Sequence, residues 1–199
     1  KYDVVYAFRN SKIYSKDLAN KKLIARIMPF NIITPGFFLN NFNKKNTKAY
    51  LLTKILVRVA EKLQVFNVIY FISQCFLLFR ERPDIVHINN GGYPGADSCR
   101  IMAITSGLFS IKKIVFTINN MAVPRNHFLD KIIDKRVNKN VDSFVTASSA
   151  AARELIKVRG IGEGKIQAIP NAVLFDNIII NDQINFRKEF AIPHDTFVI

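Results

Sequence analysis

The spacing of apolar positions along this chain changes several times, and the changes mark out its elements. Residues 2–8 (YDVVYAF) are β-branched and aromatic and read as a strand. A weaker strand follows at 24–29 (IARIMP), and Pro29 and Pro35-Gly36 punctuate the loop after it. From about Thr47 to Arg80 the period is helical. Leu51, Leu52, Ile55, Leu56, Val59 and Leu63 recur at spacings of three and four, with Lys54, Arg58 and Lys62 on another face. The continuation, 65–79, is apolar nearly all round, as in a buried helix. A membrane-spanning reading of this stretch is disfavoured. Gln64, Asn67, Ser73 and Gln74 interrupt it, and Lys62 and Arg80 bound a run that is marginal against the roughly 20 residues a span needs.

Beyond Arg82-Pro83-Asp84, which breaks the helix, strands and helices alternate. A buried-type strand, 85–88 (IVHI), leads into the turn-rich loop 89–95 (NNGGYPG). A helix follows at 96–108, with Asp97 or Ser98 suited to its first turn, and then a strand at 111–118. This is a βαβ unit, which implies parallel strands and a right-handed crossover. A helix at 128–138, a strand at 143–147, a helix at 149–159 ending near Gly160, and a strand at 165–169 closed by Pro170 continue the pattern. The expected fold is therefore α/β, a doubly wound and mainly parallel sheet. Residues 1–175 form one domain. Residues 176–185 read as a linker, and 176–199 as the linker and the start of a second domain.

Charge adds a second layer. The net charge is +14, and it is uneven: residues 1–62 hold thirteen Lys or Arg against Asp3, Asp17 and Glu61, a net +10. Such a field attracts polyanions, whether nucleic acid, an anionic membrane surface or phosphorylated substrates. Tyr14, Phe30, Phe37, Phe38 and Phe42 among these lysines would suit base stacking, but no nucleic-acid motif accompanies them. Cys75 and Cys99 have no metal-ligand spacing, and Cys75 reads as a small core residue, which fits a reduced, cytoplasmic protein. No secretory signal is visible. The chain begins without Met, almost at a strand, and ends inside another, so it is expected to be cut at both ends.

In open parallel sheets ligands bind beyond the carboxyl ends of the strands. Four such ends are polar or glycine-bearing here: His87 with Asn89, Asn90, Gly91 and Gly92; Asn119-Asn120; Ser148-Ser149; and Asn171-Ala172. Gly91-Gly92 serves equally well as a close approach for an anionic ligand and as a turn needing positive φ. His87 reads equally as a sugar- or phosphate-binding group and as a satisfied core histidine. His127 and His194 are isolated, no histidine is spaced for a metal, and neither G-x-G-x-x-G, a P-loop nor a G-x-S-x-G elbow is present.

The order of these segments resembles family 4 glycosyltransferases. Pro83-Asp84-Ile85-Val86-His87 is similar to that family's P-D-hydrophobic-hydrophobic-H strand, and Asp142 to Ser148 to its D-x-hydrophobic-hydrophobic-x-x-S strand. Leu155-Ile156, Gly160-Ile161, Lys165-Ile166 and Ile169-Pro170-Asn171-Ala172 follow its L…G-I…K-I…I-P-N-G run, and residues 187–199 look like its entry into a second domain. The resemblance implies the N-terminal, acceptor-side, Rossmann-like half of a GT-B fold whose first strand precedes Lys1. It implies a retaining, metal-independent hexosyltransferase with a nucleotide-sugar co-substrate, no bound cofactor and a glycan or lipid-linked acceptor, working in cell-envelope polysaccharide synthesis. It places the protein in the cytoplasm or on the inner membrane face, where the basic N-terminal third meets anionic lipid. This stretch by itself is expected to be inactive. Asn119, Asn120, His87, Asn89, Asn90, Gly91, Gly92, Ser148 and Asn171 would line the substrate cleft, with Asn119 standing where the family often has a histidine. Ala172 and Leu174 replace the usual Gly and Asp after Asn171. The rival expectation is a non-catalytic basic α/β module binding anionic lipid or RNA.

Overall fold

A computed structural model of the chain describes residues 3–10, 16, 25–41, 47–172 and 190–193. Two compact units divide it, 1–169 and 170–199. Tyr14, Phe42, Leu174, His194, the linker at 176–185 and residues 187–189 and 194–199 lie outside the described residues.

The first unit is α/β with parallel strands. Strands β1 (Val5–Arg9) and β2 (Arg26–Phe30) pair parallel as a two-stranded sheet. Helix α1 (Pro35–Asn41), helix α2 (Thr47–Lys62) and helix α3 (Val65–Glu81) follow. The second half is a four-stranded parallel sheet in the order β3 (Ile85–Asn90), β4 (Lys113–Ile118), β5 (Ser143–Thr146), β6 (Ile166–Ala168). Helices α4 (Asp97–Leu108), α5 (Asp130–Asn140) and α6 (Ser149–Arg159) connect these strands. All the strand ends after β3 to β6 thus lie along one edge.

The alternation within each strand decides which face is buried. Ile88, Ile114, Phe116, Ile118 and Phe144 point into one core with Ala103 of α4, Val137 of α5 and Leu155 of α6. Phe116 and Phe144 stack at 5.9 Å between ring centres. The opposite parity is exposed on β3, at Ile85, His87 and Asn89, and half-buried on β4 and β5, at Val115, Thr117, Ser143 and Val145, so among the described residues this face is uncovered chiefly at β3.

Local chemistry explains the ends of α6. The Ser148 hydroxyl accepts the Ala151 amide at 3.1 Å as an N-cap, and Gly160 adopts the left-handed conformation (φ 69°) that closes the helix. Ile161 then folds back into the core.

Three expectations need correction. The helix over 47–80 is two helices, bent by 69° where Gln64 takes φ 59°. An apolar helical stripe ordinarily faces the core, yet Leu51, Leu52, Ile55, Leu56, Val59 and Leu63 are all exposed. Helix α2 packs instead through Val57, with Ala60 beside it. Helix α3 is not buried all round. Phe66, Tyr70, Gln74, Leu77 and Leu78 face inward, while Val65, Val68, Ile72, Phe76 and Phe79 face out. Phe38, considered above as a stacking group, packs against Phe66, at 6.2 Å between ring centres, in a satellite core.

Candidate functional site

The edge where β3 and β4 end carries a polar ladder. Strand β3 runs on to Asn90, so His87 is a mid-strand residue and not the junction of strand and loop. Its side chain is exposed, with Nε2 at 2.8 Å from Thr117 Oγ1 on the neighbouring strand. His87 is therefore not a core histidine. One rung further on, the Asn119 amide nitrogen donates to Asn89 Oδ1 at 2.8 Å and to the Asn90 carbonyl at 3.0 Å. His87, Asn89, Thr117 and Asn119 share the uncovered face, because each pair is two residues apart on its strand. Thr117 was missed in the sequence. The signal was its parity with Asn119, visible once the two strands are set in register.

The other expected residues divide. Asn90 is buried and works on its own loop, donating to the Pro94 carbonyl at 3.0 Å and accepting the Ala96 amide at 3.3 Å. Asn120 is exposed beside Gly92. Neither Gly91 nor Gly92 has positive φ; a Cβ at Gly91 would meet open space. The turn is made by Gly95, at φ +56° with a notional Cβ 2.5 Å from Asn90 and from the Gly92 carbonyl. Ser148 is spent on capping α6. Asn171 is exposed and belongs to the second unit.

A buried charge network sits beneath these loops. Arg100, Asp130, Asp134 and Arg159 are each no more than 3% exposed. Arg100 donates to Asp130 at 2.8 Å, Arg159 reaches Asp134 at 3.3 Å, and Arg125 Nε reaches Asp134 at 2.9 Å. Tyr93, 1% exposed, donates its hydroxyl to Asp134 at 3.0 Å, and the Arg159 guanidinium lies over its ring. Burial pushes the Tyr93 phenol far up, reinforced by the Asp134 charge. Burial also pushes the Asp130 carboxyl up. The Arg100 guanidinium and the amides of Asn126 and His127 outweigh it, and the group ends below its ordinary value.

This network holds the two site loops. Arg159 donates to the Val123 carbonyl at 2.7 Å and to that of Pro124 at 3.3 Å. The Val123 amide donates to the Tyr93 carbonyl at 2.8 Å beside the Tyr93–Ala122 bridge, so the segments after β3 and β4 are joined. The segment after β4 also touches the bend between α2 and α3. His127 Nδ1 accepts the Leu129 amide at 3.2 Å, which leaves the proton on Nε2 to donate to the Lys62 carbonyl at 3.1 Å.

The arrangement offers amide donors and acceptors and a hydroxyl to a polyhydroxylated or phosphorylated ligand. Among the described residues, no three of His, Cys, Asp and Glu gather where they could hold a metal ion. Both cysteines are free. Burial raises both thiols, that of Cys99 to about 11, so neither is poised as a thiolate.

A parallel α/β sheet with helical crossovers and polar side chains along its carboxyl edge defines a Rossmann-like domain. The model of Glycosyltransferase Family 4 matches residues 35–176, more than half of the chain. The chain belongs to that family, and its enzyme class is glycosyltransferase. No curated protein matches it.

Proposed function

We propose that this chain is the acceptor-side part of a retaining, metal-independent hexosyltransferase. The sugar comes from a nucleotide-sugar donor and goes to a glycan or lipid-linked acceptor in cell-envelope polysaccharide synthesis. The observation that carries this reading is the Asn89–Asn119 pair beside His87 and Thr117 on the uncovered face at the carboxyl edge. Asn119 donates to a sugar hydroxyl or phosphate oxygen but takes up no proton, so its role is to orient the acceptor and not to act as a base. Lys48, Lys54, Arg58 and Lys62 of α2 supply the positive charge that meets a membrane or an acceptor phosphate.

The test is transfer to a polyprenyl-phosphate-linked acceptor by the full-length protein. Asn119→Ala raises KM for the acceptor several-fold, and Asn119→His gives a different pH profile. Unchanged acceptor kinetics in Asn119→Ala would remove this residue from the site.

A further inference from the structure

The segment after β4, residues 119–129, crosses from the sheet to α5 without a strand or helix of its own. Its backbone meets β3 and the loop beyond it at two points. The Asn119 amide donates to the Asn90 carbonyl at 3.1 Å, and the Val123 amide donates beside the Tyr93–Ala122 bridge. A chain so sparsely laddered takes its shape from the side chains that reach its polar groups. Two arginines do this reciprocally. Arg159, in the last turn of α6, donates to the Val123 and Pro124 carbonyls. Arg125, within the segment, donates through Nη2 to the Arg159 carbonyl and through Nε to Asp134 at 2.9 Å. Carbonyls in the last turn of a helix lack partners inside it, and the negative end of the helix dipole favours a cation there. The two guanidinium groups differ in one respect: the Arg159 side chain is fully buried, whereas that of Arg125 is 34% exposed. Asp134 also keeps the Tyr93 hydroxyl and Arg159 when Arg125 is taken away. Arg125 can therefore be removed without stranding a buried charge.

We infer that Arg125 is a positioning residue: by clasping the end of α6 it sets the segment after β4, and with it Asn119, against β3. Asn119 opens the segment, and its side chain is held on Asn89 Oδ1 and the Asn90 carbonyl, so a shift of the segment is felt at both contacts. The far end is fastened separately, by the Asn126 and His127 amides on Asp130 and by the His127 ring on the Lys62 carbonyl. Arg125 lies between these two ends and carries the link to α6. Removing it frees the middle of the segment while both ends keep their anchors. The consequence for acceptor binding rests on the transferase reading; the clasp itself does not. A merely structural role gives another pattern, a general loss of stability with no dependence on Asn119.

The experiment joins hydrogen exchange, read by mass spectrometry, to acceptor kinetics, both on the full-length protein. In Arg125→Ala the amides of residues 119–127 should exchange at least about tenfold faster, while those of β3, β4 and α4 keep their wild-type rates. The thermal midpoint should fall by less than about 5 °C. The same variant should raise KM for a polyprenyl-phosphate-linked acceptor about fivefold and leave the donor KM unchanged. That rise should vanish in an Asn119→Ala background, because a residue acting through Asn119 adds nothing once Asn119 is gone. Arg125→Lys should restore part of both effects, since an ammonium reaches the α6 carbonyl or Asp134 but lacks the fork that holds the two. Wild-type exchange across 119–127, or acceleration spread evenly over the sheet, overturns the clasp. Should Arg125→Ala not fold, the exchange pattern of Arg125→Lys decides in the same way. Kinetic effects of the two alanine variants that simply add overturn the positioning of Asn119. Wild-type protein without transfer counts against the transferase reading alone, because the exchange pattern still decides the clasp.

Discussion

The two helical regions of this chain use apolar periodicity in opposite ways. Around the four-stranded sheet, α4, α5 and α6 turn their apolar faces inward and even bury two arginines and two aspartates among them. In α2 the regular apolar stripe turns outward and packing rests on Val57 and Ala60, while α3 turns Phe66, Tyr70, Leu77 and Leu78 inward and a second apolar stripe outward. The first region is built to hold a shape, and the second to present a surface. Periodicity says that a helix has two faces. It does not say which one the rest of the molecule will cover.

That contrast has measurable consequences, and the largest lies in the charge network. Asp134→Ala removes the acceptor shared by Tyr93, Arg125 and Arg159 and leaves a buried guanidinium uncompensated. Denaturant unfolding should show a loss of about 3–5 kcal/mol. The same network should give an acid limb. Asp130 is held below its ordinary pKa when folded, so its contribution is present above the normal carboxylate range and fades as pH falls through that range and below. Asp130→Asn is therefore less stable than wild type at neutral pH, and the gap should narrow on acidification. A gap constant from neutral pH down to pH 3 would contradict the assignment.

Smaller effects follow. Gly95→Ala meets the Gly92 carbonyl and a left-handed backbone at once and should lose about 2 kcal/mol, whereas Gly91→Ala should leave the unfolding midpoint where it is. Ser148→Ala deletes the α6 cap and should lower stability by about 1 kcal/mol. Leu56→Ser, in the outward stripe, should change stability by no more than about 0.5 kcal/mol despite removing a large apolar group. A loss of several kcal/mol there would mean that α2 is buried against something, and the contrast between the two regions would fail.

The βαβ alternation from Ile85 to Ala168 was legible in the sequence because strand and helix periods differ and because Pro83, Gly160 and Pro170 mark boundaries. The motifs that resemble the family proved mostly to be fasteners. The Asp142 carboxylate accepts the Ile114 amide at 2.7 Å, Ser148 caps α6, and the Lys165 ammonium donates to the Asn138 and Val141 carbonyls at 2.6 and 2.7 Å. The charge network was not legible. Arg100, Asp130, Asp134 and Arg159 look like surface residues of three separate helices until the fold closes over them. Nor was the bend at Gln64, a non-glycine residue in the left-handed region that carries no mark of its conformation. At the site, Asn89 and Asn119 were found by position, but their pairing needed the register of β3 and β4.

The short bridge between Tyr93 and Ala122 limits how this domain can diversify. Two loops tied through a shared amide and carbonyl are inherited as one part. A graft of residues 91–96 from a relative would arrive without the matching 119–124, and the Tyr93 carbonyl would lose the Val123 donor it now has. Re-shaping either segment, by selection or by design, therefore requires exchanging both together.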